Sequence, residues 1–199
     1  LSHSGTHAAS AERNGANLEA AQGAGADALD AGVGFEQRQA EDAAGVKKGV
    51  ENFKGVPHRL EPVGEFKGIK FFNDSIATIP HAVECGVEAI GNVDTLIFGG
   101  LDRGIDYTDF IEFLICSDIK NLIGLPETGH DILDDVKLHN TQVNAFYAEN
   151  MEDAVINAIN ETKENGVCLF SPAAASYNFY KNFEEKGRHF KELVVKYNK

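Results

Sequence analysis

Residues 95–104 read TLIFGGLDRG: an apolar, β-like run that ends on two glycines and then offers an acid, an arginine and a third glycine. Two other runs end in a similar way. Residues 69–72, IKFF, lead into NDSIAT at 73–78, and residues 167–170, VCLF, lead into SPAAAS at 171–176. A strand that gives way to a small, polar, turn-rich loop and then a helix is the repeating unit of an α/β sheet. In such sheets ligands sit beyond the carboxyl ends of the strands, so parallel strands would make these three loops neighbours.

Outward from these loops the same alternation continues. Strands are expected at 60–66, 69–72, 95–98, 119–123, 143–147 and 167–170, the first two forming a hairpin about Lys67-Gly68 and the later ones a parallel sheet. Helical spacing predicts helices at 79–90, 107–116, 130–136, 151–163 and 179–197. In the fourth, Met151, Ala154, Val155, Ala158 and Ile159 recur on one face and are assigned to packing against the sheet. Residues 1–50 differ in character, with 13 Ala and 8 Gly and few large apolar side chains. They are expected to form a weakly helical extension or the remnant of a preceding domain, and residues 51–199 the folded domain.

Composition narrows the function classes. A formal net charge of −13 repels nucleic acid, and no apolar run approaches the length of a membrane span. The three cysteines, Cys85, Cys116 and Cys168, have neither disulfide nor zinc spacing, and no resident metal is expected. They suit a reducing compartment, and a cytoplasmic monomer with no nucleic-acid or membrane partner is expected. Against this acidic background Arg103, beside Gly99 and Gly100, suggests an anion-binding cleft, because glycine lets a backbone approach a ligand and helix amino termini offer free N–H groups.

Each feature also has a plainer reading. Asn73-Asp74-Ser75 ahead of a helix has the composition of an N-cap, Gly99-Gly100 that of a turn, and Arg59 that of a surface ion-pair residue. The mixed charges of 181–188 read as a solvated helical face.

Taken together, GVPHRLE at 55–61, FNDSIAT at 72–78, GGLDRG at 99–104, SPAAAS at 171–176 and KNFEEKG at 181–187 resemble the Mur ligase family. The likeness runs from about residue 51 to 199, and in order and spacing it is nearest to the members that add D-glutamate to UDP-N-acetylmuramoyl-L-alanine. It implies a Rossmann-like, three-layer carboxy-terminal domain that closes on a central ATPase domain, with an amino-terminal domain completing the enzyme. It further implies ATP and Mg2+, the metal's ligands lying outside this chain. By motif match the D-glutamate residues would be Thr78, Arg103, Ser176, Tyr177 and Phe183. Arg59 would reach the γ-phosphate, Asn73 and Asp74 would lie on the nucleotide side, and Asn14 and Asn17 would touch the adenine. Arg59 and Arg103 are the residues expected to bear on catalysis.

The resemblance has departures. Arg103 stands where lysine is common, Ile76 at a position often lysine, and Ala174 where cysteine is frequent. No GxxxxGK[ST] phosphate loop occurs in the chain, which is therefore expected to be inactive alone. Two other readings stay open: a sibling ligase adding another amino acid or extending folate, and a non-catalytic nucleotide- or protein-binding module.

Overall fold

The computed structural model describes residues 47–48, 55–139 and 142–197. Apart from Lys47 and Lys48, which are helical and exposed, the extension expected at 1–50 lies outside the described residues, and with it Asn14 and Asn17. The sheet and its helices belong to the unit Gly55–Lys199.

The elements of this unit run β1 (Glu61–Phe66), β2 (Ile69–Asn73), α1 (Pro80–Ile90), β3 (Val93–Phe98), α2 (Thr108–Cys116), β4 (Asn121–Gly124), α3 (Thr128–His139), β5 (Asn144–Tyr147), α4 (Met151–Glu161), β6 (Val167–Phe170) and α5 (Phe183–Tyr197). They form a six-stranded sheet in the order β1-β2-β6-β3-β4-β5. Only β1 is antiparallel, joined to β2 through Lys67 (φ 51°) and Gly68 (φ 75°), two left-handed residues as a type I′ hairpin requires. The other pairings are parallel.

Alternation along the strands builds two cores. Ile69, Phe71, Ile97, Ile123, Cys168 and Phe170 point to the face covered by α4 and α5. Leu96, Phe98, Leu122 and Leu169 point to the face covered by α1, α2 and α3. The sheet is thus the middle of three layers. The expected inner face of α4 is there: Met151, Ala154, Val155 and Ala158 are buried and Ile159 is partly buried.

Several boundaries differ from expectation. The fourth strand begins at Asn121 rather than 119, and the third helix runs over 128–139 rather than 130–136. α4 ends at Glu161, where Thr162 turns extended and its hydroxyl bonds Ala158 O. α5 begins at Phe183, not 179, because Asn182 accepts from Glu185 N (2.8 Å) while Glu185 accepts from Lys181 N (2.7 Å), a reciprocal cap that starts the helix there. Residues 176–182 are freed as a loop, with Tyr180 N bonded to Ser176 O.

Strands β6 and β3 lie side by side, yet their chains diverge. β6 leads into α5, which packs beside β2 residues on one face, and β3 into α2 on the other. Such a switch point opens a crevice at the carboxyl edge of a sheet.

Candidate functional site

Backbone hydrogen bonds tie the three strand-exit loops together at that crevice. Asp74 N donates to Phe170 O (2.8 Å), Ser171 N to Ile97 O (3.0 Å), Gly99 N to Pro172 O (2.7 Å) and Ala173 N to Ala77 O (3.0 Å). Leu101 pairs with Ala175 as an isolated bridge. Tyr107 hydroxyl donates to Ala173 O (3.2 Å), holding a residue that sits in the left-handed region at φ 56°. Gly100 sits against the 171–176 loop: at φ 156°, a Cβ there would lie 2.3 Å from Ala175 O.

The arrangement gathers residues far apart in sequence around one cleft of about 210 Å3, lined by Ile76, Thr78, Arg103, Ala175, Ser176, Tyr177 and Phe183. Thr78, Arg103, Ser176, Tyr177 and Phe183 therefore share one cavity. The Ser176 hydroxyl is buried and has no hydrogen-bond partner among the described residues. Arg103 is exposed and forms no ion pair among them. One small space is thus lined by a cation without an ion pair and by a serine whose buried hydroxyl lacks a partner among the described residues.

Next to it lies a second cavity of about 250 Å3, lined by Arg59, Asp74, Ile76 and, from α1, Ala82, Cys85, Gly86 and Ala89. Ile76 borders both. Asp74 accepts from Leu60 N (3.1 Å) and from the Ser171 hydroxyl (2.8 Å). Burial raises its pKa, an effect that these bonds and Arg59 oppose. Asn73 is fully buried and its amide is committed: Nδ2 donates to His58 Nδ1 (3.0 Å) and Glu61 (3.1 Å), and Oδ1 accepts from Ser75 N (3.2 Å). Asn73 thus shapes the loop from inside. The N-cap reading of Asn73-Asp74-Ser75 is corrected: α1 starts at Pro80 with Ile79 in the N-cap position and no side-chain cap, and the polar triad instead braces the 55–61 turn.

Three groups here escaped sequence reading. His58 is buried against Phe183 edge-on (5.9 Å), and its Nδ1 also meets Ser75 Oγ (3.1 Å). Burial, chiefly, lowers its pKa. Glu61 joins the network and takes Lys191 Nζ at 2.8 Å; burial alone would raise its carboxyl, but bonds from Lys191, His58 N and Asn73 outweigh that and hold it low. Lys186, placed by its charged neighbours on a solvated face, is only 2% exposed, its Nζ donating to Gly99 O at 2.8 Å. The signal for it was local: Lys186 lies three residues beyond Phe183 and four before Phe190, on the apolar side of α5.

Among the described residues no three His, Cys, Asp or Glu side chains are grouped to hold a metal. Nor is any helix there long and apolar enough to cross a membrane.

Comparison with known proteins gives concordant results. Residues 58–174 match the Mur ligase, glutamate ligase domain. A UDP-N-acetylmuramoylalanine--D-glutamate ligase from Alkaliphilus metalliredigens is 40% identical over 178 residues, 89% of this chain and 37% of that protein. A protein of the same name from Exiguobacterium sibiricum is 38% identical over 147 residues, 74% of this chain and 32% of that protein. The chain thus spans about a third of the length of these relatives. Among solved structures, MurF from Acinetobacter baumannii superposes with a TM-score of 0.52 at 16% identity, over 74% of this chain and 33% of that one, a likeness of fold.

Proposed function

Because the chain belongs to the Mur ligase family, we propose that it is the amino-acid-binding, closing domain of an ATP-dependent ligase that joins D-glutamate to UDP-N-acetylmuramoyl-L-alanine. The observation that carries this reading is the cleft at the β3–β6 switch point, lined by Arg103 and by Ser176 with its unpartnered hydroxyl, in a chain of net charge −13. The names of the relatives supply the substrate.

D-glutamate carries two carboxylates. Arg103 takes one with its planar fork, and Thr78 and Ser176 donate to the other, while Tyr177 and Phe183 wall the methylene chain. Held this way, the amine is presented to the acyl phosphate that ATP makes on the second substrate, and attack expels phosphate. The domain's part in that step is positioning and charge, which is most of what phosphoryl and acyl transfer need from a protein. Arg59 serves the transferring phosphoryl group, and Asp74 the ribose hydroxyls through lone pairs its two bonds leave free. Asn73 acts only by holding their loop. Catalysis and any magnesium ligands require the rest of the enzyme, and the free cysteines suit a cytoplasmic setting.

In the full-length ligase, Arg103→Ala should raise KM for D-glutamate roughly a hundredfold, the loss of a charge-assisted bidentate contact. KM for ATP should stay within about twofold. Steady-state kinetics decides, and an unchanged KM for D-glutamate would defeat the assignment.

A further inference from the structure

A larger cavity, about 320 Å3, opens on the other side of the 176–182 loop and shares no lining residue with the Arg103 cleft. Its walls are mostly apolar, from Leu125, Pro126, Met151, Phe179 and Tyr180, and at its inner end stands Lys186. Phe179 at this cavity is 65% exposed, an aromatic ring left in water.

Lys186 is the unusual member. Its ammonium has three donors and uses one, on Gly99 O, while its other contact is the face of Phe170 at 5.7 Å. No carboxylate pairs with it among the described residues, although the chain is strongly acidic. The carboxylate nearest the cavity, Glu152, is already bound by Lys196 and the Tyr197 hydroxyl. Buried cations are ordinarily paired. Across the cavity lies the first turn of α4, whose Met151 and Glu152 amides helix geometry leaves free.

We propose that this cavity is a second ligand site, which takes a small monocarboxylate with a flat apolar body and pairs its anion with the Lys186 ammonium. One cation and apolar walls suit a single negative charge rather than a phosphate. The volume lies at the lower end of the range for small-ligand sites. Burial pushes Lys186 down to about 7, and an anion beside it would favour its charged form. The other titratable groups facing it are Glu152, Tyr180 and His189, the last two bonded to each other at 2.8 Å. Because the same ammonium holds Gly99 O, occupancy would also bear on the loop that carries Arg103. The proposal does not depend on the D-glutamate reading.

The test uses 4-methylbenzoate and the neutral 4-methylbenzamide on the whole chain, by ligand-observed NMR titration. The acid should bind roughly tenfold or more tighter than the amide, from one charge-assisted contact. Lys186→Met should erase that difference, and Ser176→Ala, in the other cleft, should leave it. Equal affinities, no binding of the acid, preference surviving in Lys186→Met, or loss of it in Ser176→Ala would each overturn the proposal. Should Lys186→Met fail to fold, intermolecular NOEs on the unmodified chain decide: the 4-methylbenzoate methyl group should meet the Met151 and Phe179 side chains that line the cavity, and none to either would overturn the proposal.

Discussion

Ser176 is 3% exposed, and its hydroxyl finds no partner among the described residues. An unpaired buried hydroxyl costs about 1–3 kcal/mol, which a fold tolerates when a ligand completes the bond. Ser176→Ala should therefore leave the thermal midpoint unchanged or slightly higher while weakening D-glutamate binding about tenfold. A lower midpoint with unaltered binding would make the hydroxyl structural. His58 gives a pH prediction. Burial, above all, depresses its folded-state pKa below 6.5, so acidification must force a proton onto a group the fold keeps neutral. The unfolded chain then binds more protons, and stability present above pH 6.5 is lost as pH falls through the folded value. Urea midpoints between pH 7.5 and 5 should fall more steeply for the wild type than for His58→Gln; parallel slopes would contradict this.

At the scale of elements, α5 shows where local propensity and packing disagree. Gly187 is an interior helical position where alanine is intrinsically better by about 1 kcal/mol. Yet a Cβ there would stand 2.2 Å from Ser75 Oγ and 2.3 Å from His58 Nδ1. Gly187→Ala should therefore destabilise the domain by about 1–3 kcal/mol in denaturant melts, the cost of overpacking. A stabilised variant would mean that α5 does not press on the 55–61 turn. The same helix shows what a linear reading reaches. The strand-exit loops were legible because short apolar runs alternating with helical periodicity specify parallel strands, and parallel strands put their carboxyl ends on one edge. The start of α5 was missed by four residues because Phe179 and Tyr180 fit helical spacing, while the cap at Asn182 and Glu185 set the boundary. Lys186 shares the helical spacing of Phe183 and Phe190, a mark that its charged neighbours at 181–188 obscure, and its burial is completed by α5 lying over Phe170 of β6.

The whole molecule sets a local cation against a global field. Thirty-one acidic and eighteen basic residues would hold anions off, while Arg103 and Arg59 stand in adjoining cavities without ion-pair partners among the described residues. That the sheet order brings residues 78, 103 and 176 to one cleft is what the account needs, and the β3–β6 adjacency provides it. The resemblance named the residues; only the topology says that they can act on one ligand. The direct measurement is saturation-transfer NMR of the chain with D-glutamate, L-glutamate and L-lysine, repeated on Arg103→Ala. Transfer should be strongest to D-glutamate and lost in the variant; a preference for L-lysine, or D-glutamate transfer undiminished without Arg103, would contradict the assignment of the cleft.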